Sequence, residues 1–257
     1  MESLKVLWKE RSYLAKLSWN FFKDKYRGSV LGISWAFITP VILALVISFV
    51  FTRVARITLP YYTLFVLSGL LPWMCFSSSL QESCFVLLES SSLLKQFPFP
   101  PILLPLAKSG ANFLNFLLGW IILLPLFIYF KPNIILFLPL FLAFLIPFYF
   151  FTSGVGLILS WLHVFFRDTG HLLSLTLLFW FWLTPVFYPL TLVPSPYQKW
   201  MIINPLTSFM VVFHSLLYKG TLPPSREVLV LIVYTLLFYS LGSYSFSLKI
   251  KEALKWI

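Results

Sequence analysis

The 257-residue chain is 60% hydrophobic and only 11% charged, with a net charge of +11 and a mean hydropathy of +0.90. A soluble domain of that length needs a charged exterior that this chain lacks, so lipid must be the solvent for most of it. The basic excess suits a face beside anionic membrane lipids, and nucleic acid is not an expected partner.

Residues 4–27 carry an amphipathic pattern. Leu4, Leu7, Trp8, Leu14, Leu17, Phe21 and Phe22 recur at three- and four-residue steps among Lys5, Lys9, Arg11, Lys16, Lys23 and Lys25. This stripe predicts a helix lying in the membrane interface within residues 1–28, as an anchor alone or as a lever that meets a cytoplasmic partner. The segment has no clean apolar h-region, so a cleaved signal peptide is not expected.

Continuous apolar runs follow at 33–52, 61–82, 109–130, 134–161, 172–193 and 228–248. Each is long enough for a helix to cross the hydrocarbon core, which takes about 20 residues, and none alternates as barrel strands do. The fold class is an all-α integral membrane protein with six transmembrane helices. It is one domain over 1–257, with an interface helix (1–28), a membrane region (33–248) and a cytoplasmic tail (249–257). Six spans put both termini on one side, which collects 13 of the 19 Lys and Arg residues; the other side keeps Arg53, Arg56, Lys131, Lys199, Lys219 and Arg226. The positive-inside rule makes both termini cytoplasmic.

Within the first span Pro40 predicts a kink. The second span ends on a polar patch, Ser77-Ser78-Ser79 with Gln81 and Glu82, where Glu82 is either a functional carboxylate or a helix-end group. Cys75 and Cys84 read as buried free thiols. Residues 87–108 form the longest cytoplasmic connection, with a short helix over Ser90–Gln96 stopped by Pro98, Pro100, Pro101 and Pro105. Spans three and four make a hairpin at Lys131-Pro132-Asn133, and Gly154 and Gly156 permit close helix approach. His163 and His171 read as satisfied interfacial histidines, and no metal site is expected. The connection over 193–227 holds an apolar helical pattern from Pro205 to Tyr218, too short to span and read as re-entrant or interfacial structure on the outer face.

With eight acidic residues and no paired carboxylates, no catalytic residue stands out. The phosphate-cradling pattern GxxxxGK[ST] is also missing, so any ATP that drives this chain is hydrolysed by another polypeptide.

Four segments carry a resemblance: YRGSVLGISWAFITP (26–40), LLKQFPFPPILLPL (93–106), FFRDTGH (165–171) and INPLTSFMVVFHSLLYKG (203–220). Taken in order they resemble the membrane subunit of ABC-2-type exporters, in the branch that exports O-antigen, capsule and teichoic-acid polymers. The resemblance implies a homodimer of permease subunits in the bacterial inner membrane, joined by two copies of a nucleotide-binding ATPase subunit. It implies no cofactor on this chain, with ATP and Mg on the partner, and a lipid-linked polysaccharide as cargo. The coupling residues it points to are Arg11, Lys16, Lys23 and Arg27 on the interface helix, and Ser91, Leu94, Lys95 and Gln96 on the cytoplasmic segment. Gate helices map to about 198–218, with Asn204 and Pro205 at their junction. Aromatic residues make up 20% of the chain, and stacking on sugar rings is tolerant of sliding; Tyr61, Tyr62, Trp73, Trp180, Trp182 and Tyr188 are the candidate path. Two rivals stay open at this point: an ABC-2 permease for another substrate such as a lipid or drug, and a polytopic membrane enzyme of glycan assembly.

Overall fold

The computed structural model describes residues 9–96 and 99–256, so the expectations placed on Leu4, Lys5, Leu7, Trp8 and Pro98 lie outside the described residues. The interface helix α1 (Arg11–Asp24) buries Ser18 and Phe22 and leaves Arg11, Lys16 and Lys23 exposed, as the basic stripe predicts. A turn with Gly28 and Gly32 at positive φ (79° and 52°) then leads into the first span, Gly32–Val54, whose central helix is α2 (Trp35–Phe49).

The second span is α3 (Tyr62–Glu89), followed by a short helix α4 (Ser91–Gln96). The third is α5 (Leu103–Phe130), and the fourth is α6 (Leu138–Phe165), entered through a 3₁₀ turn over Pro132–Phe137. A shorter helix α7 (Thr169–Leu183) comes next, then the pair α8 (Ser195–Ile203) and α9 (Pro205–His214), and finally α10 (Ser225–Ala253). Among the described residues five helices are long and apolar enough to cross a membrane by themselves, and α8 and α9 meet at 104°.

Several expected boundaries move. α3 runs on to Glu89 and α5 starts at Leu103, so the connection between them shrinks to residues 90–102. Pro105 sits in the first turn of α5, where its missing N–H has no intrahelical partner to lose. The run 172–193 is not one continuous helix: α7 stops at Leu183, about 22 Å of helix at 1.5 Å per residue. Thr184 turns extended (φ −107°, ψ 135°), the conformation favoured for a residue that precedes proline, here Pro185. His163 is also a correction: it is buried, and its Nδ1 finds no hydrogen-bond partner.

The second span is the hub. In its most apolar stretch 78% of residues are buried inside the protein, against 22–33% for the other four long spans, so the others turn most of their surface outward. Phe76 and Phe151 stack at 5.7 Å, and Phe148, Phe209 and Phe213 fill the space behind them. The expected glycine contact is present: Gly154 of α6 meets the backbone of Phe238 and Tyr239, and Gly242 faces it from α10. Trp161 Nε1 donates to Ser245 Oγ at 3.3 Å, and Lys249 lies over the Phe165 ring, so α6 and α10 finish at the same end of the bundle. That end also holds α1, through Lys108 over the Phe21 ring. We call it the terminal end.

Candidate functional site

A groove of about 520 Å³ opens on the side of the bundle between α2, α3 and α7. Each helix contributes a stripe at four-residue spacing, the repeat that keeps side chains on one face. Leu43, Ile47 and Phe51 come from the first span, Trp73, Ser77 and Gln81 from α3, and Ser174, Leu178 and Trp182 from α7. Phe181 and Phe187 complete the wall. The chain directions set the polarity. Ser77, Gln81 and Ser174 lie toward the terminal end, while Trp73, Phe181, Trp182 and Phe187 lie toward the opposite end. The rings are mutually fixed: Trp73 to Phe181 at 5.3 Å, Phe181 to Phe187 at 5.3 Å, and Trp182 edge-on to Phe187 at 5.1 Å. The result is a rigid aromatic wall with a few hydroxyl and amide groups at one end. It has no charged lining residue.

Of the six aromatic residues picked from the sequence, the structure brings Trp73 and Trp182 together in this groove. Tyr188 stands beside it, its hydroxyl donating to the Trp182 carbonyl at 2.9 Å. Tyr62 is buried, with its hydroxyl on the Phe187 carbonyl, and so braces the wall from behind. Tyr61 lies apart on the opposite end, against Phe130 and under Lys131. Trp180 turns into a second pocket of about 390 Å³ with Leu183, Trp200, Met201, Asn204 and Pro205. Phe51, Phe181, Phe187, Gln81 and Ser174 were missed. The stripe Trp73-Ser77-Gln81 is visible in the sequence as an i, i+4, i+8 face, but nothing there says which way the helix is turned.

Asn204 organises the bend between α8 and α9. Its Oδ1 accepts from Trp180 Nε1 at 2.8 Å and, as N-cap, from the Leu206 N–H at 3.1 Å. Its Nδ2 donates to Thr184 Oγ1 at 2.9 Å and to the Leu183 carbonyl at 3.3 Å. One amide thus ties the bend to the broken end of α7, and Pro205 at N1 starts α9 with a pre-set φ. α9 itself is buried on nearly all sides and pinned by polar groups. His214 Nε2 donates to the Pro185 carbonyl at 3.0 Å, its Nδ1 lies 2.8 Å from Ser68 Oγ, and its ring stacks on Phe65 at 4.1 Å. Ser208 Oγ donates to Glu227 Oε2 at 2.6 Å, a buried carboxylate in the first turn of α10 that the sequence did not single out.

A profile of the ABC-2 type transporter family matches residues 14–218, which takes in α1, the groove and the bent pair. The chain belongs to the ABC-2 type transporter family. An O-antigen export system permease protein of Klebsiella pneumoniae, RfbA, is 33% identical to it over 204 residues, covering 78% of each chain. The Myxococcus xanthus protein of the same name is 32% identical over 234 residues, 89% of this chain and 88% of its own length. Polysialic acid transport protein KpsM of Escherichia coli is 25% identical over 222 residues, 83% and 85% of the two chains.

In this ABC-2 chain the residues expected to meet a partner all lie at the terminal end, on two separate elements. Arg11, Lys16, Lys23 and Arg27 belong to α1 and the turn after it, and Ser91, Leu94, Lys95 and Gln96 to α4. Leu94 is half-buried against the apolar cluster of Val86, Leu87 and Leu106, while Lys95 and Gln96 point outward. α4 therefore rides on the ends of α3 and α5 with a free polar face.

Proposed function

We propose that this chain is the permease subunit of an ATP-driven exporter that moves a lipid-linked polysaccharide, with O-antigen as the favoured cargo, across the bacterial inner membrane. The observation that carries this reading is the lateral aromatic groove of α2, α3 and α7 in a chain whose relatives are named as O-antigen export permeases. A flat-walled groove without charge holds sugar rings by stacking and lets them slide, whereas a set of directed hydrogen bonds would trap them. At about 520 Å³ it takes a molecule of ordinary ligand size, so a polymer has to be threaded rather than enclosed.

The groove is open to one side, and the flanking faces of α2 and α7 expose Leu43, Val46, Leu175 and Leu178. A second copy about a twofold axis would close two such grooves into one conduit. The basic residues gathered at the terminal end make that end cytoplasmic. Two copies of a separate nucleotide-binding subunit supply ATP and Mg, and their closure pushes on α4 and α1 so that the packed permease bodies shift.

Replacing Trp73 and Trp182 together with alanine tests the groove. Each lost stack is worth about 0.5–1.5 kcal/mol, so glycan export should fall roughly tenfold or more, with ATPase copurification and basal ATP turnover kept. Export at the wild-type rate in that double variant, measured in liposomes, would remove the groove from the path. The same assay with neutral and acidic lipid-linked glycans separates an O-antigen cargo from a polysialic-acid-like one.

A further inference from the structure

α1 packs on the start of α5 through Ser18 against Gly110, and its Leu14, Leu17 and Phe21 join the apolar cluster around Leu104 and Leu106; the question is how its far end is tied to the membrane helices. The covalent route is soft. α1 ends at Asp24, and the turn behind it has Gly28 and Gly32 at positive φ with nothing within 4 Å of where a Cβ would stand. A push along α1 would be absorbed there before it reached α2.

A second, non-covalent route starts just before that turn. Lys25, the C-cap of α1, donates from Nζ to Glu82 Oε1 at 2.6 Å and to Asn112 Oδ1 at 2.5 Å. Glu82 sits on α3 and Asn112 on α5, so one ammonium joins three helices. The Lys25 and Glu82 side chains keep only 23% and 28% of their exposure, and Asn112 is buried. Asn112 is itself held, its Nδ2 donating to the Lys108 carbonyl at 3.0 Å. Next along the chain, the Tyr26 hydroxyl donates to Asn115 Oδ1, one helical turn further up α5. Burial raises the Tyr26 phenol above its usual range. Behind the cluster is a cavity of about 40 Å³ bounded by Ser78, Asn112, Asn115 and Pro40. Asn112 and Asn115 thus face the same small cavity as Pro40 of the first span.

We infer that Lys25, with Glu82, Asn112 and the Tyr26–Asn115 contact, is a latch that makes the interface helix move as one body with the second and third spans. It bypasses the glycine turn and delivers a partner's thrust directly to α3, the helix that carries Trp73, Ser77 and Gln81 in the groove. Lys25 is a positioning residue: it touches neither cargo nor nucleotide. The transmission role rests on the reading proposed above, but the rigid coupling of α1 to α5 does not.

The test uses the full permease–ATPase complex with spin labels at Asn20 on α1 and Ile121 on α5, both exposed positions. With the labels on one permease copy and the other copy unlabelled, wild type should give one narrow distance distribution. Lys25→Met and Glu82→Gln should each broaden it, and the swapped pair Lys25→Glu with Glu82→Lys should narrow it again. In liposomes the single variants should keep basal ATP turnover and lose at least tenfold of glycan export, with the swap recovering a substantial part. Unchanged distributions in the single variants, or a swap as broad as either of them, would overturn the latch. If wild type itself exports no glycan, the proposed cargo fails, and the distance measurement still decides the latch.

Discussion

Leucine at Gly154 is expected to abolish recovery of a folded chain. A Cβ built at Gly154 would lie 2.6 Å from the Phe238 carbonyl oxygen and 2.6 Å from Tyr239 Cα, and Gly242 presses its own backbone against the same spot. Both obstacles are main chain, so no rotamer change relieves them and α6 and α10 must separate along their length. Membrane helices associate through close packing rather than through hydrophobic exclusion, so a separated pair has little to pull it together again. Overpacking usually costs about 1–3 kcal/mol, and a rigid helix–helix clash belongs at or above the top of that range. Separation would also break the Trp161–Ser245 and Thr235–Pro147 hydrogen bonds on either side of the contact. The check is the monodisperse fraction on size exclusion in detergent, with a thermal melt. Gly156 provides the internal control, because its Cβ would meet Ser83 Oγ at 3.0 Å and Ser83 Cβ at 3.1 Å, contacts that a shift of a few tenths of an ångström relieves. Alanine at Gly156 should therefore be tolerated where alanine at Gly154 already lowers Tm. A Gly154→Leu protein that melts like wild type would mean that the two helices are not in contact.

The other large effect is expected at Asn204. Its side chain makes four hydrogen bonds that no neighbouring group can replace, since they run in two directions from one amide. Alanine leaves the Trp180 indole N–H and the first turn of α9 without acceptors. An N-cap loss alone costs about 0.5–2 kcal/mol, and loss of the half-buried Trp180 hydrogen bond adds about 0.5–1.5 kcal/mol. The bend should then loosen locally while the bundle stays folded, because the core around Phe148, Phe209 and Phe213 is untouched. Amide hydrogen exchange over residues 195–210 should rise by at least tenfold in Asn204→Ala, with export reduced and ATPase copurification kept. Aspartate should be intermediate, since it preserves both acceptor contacts and loses both donor contacts. Exchange equal to wild type in the alanine variant would show that Pro205 and the burial of α9 hold the bend without Asn204.

How much of this was legible depends on whether a feature is local. The short helix before the proline run is written in Ser91–Gln96 and the prolines after it, and α9 in the Asn204-Pro205 start followed by an apolar stripe. The end of α7 was legible too, in Thr184-Pro185, but the apolar content runs on to Leu190, and a hydropathy window averages across the break. Glu227 did not stand out in the sequence and Glu82 was open between a functional carboxylate and a helix-end group, because their partners Ser208 and Lys25 are 19 and 57 residues away. His163 gave no signal that one ring nitrogen would be left without a partner.

By itself, then, the sequence determined the solvent, the helical class, the order and approximate length of the spans, and the side on which basic residues gather. Those properties sum over neighbouring residues, and the water-to-lipid transfer free energy that sets them needs no knowledge of the rest of the chain. The tertiary structure alone decided which face of each helix looks inward. It chose Trp73 and Trp182 for one groove, sent Trp180 to Asn204, and brought Lys25, Glu82 and Asn112 together. In lipid an apolar side chain is almost equally content on any side of its helix, so hydrophobicity cannot orient the spans. Close packing at glycines and a few long-range hydrogen bonds do so instead.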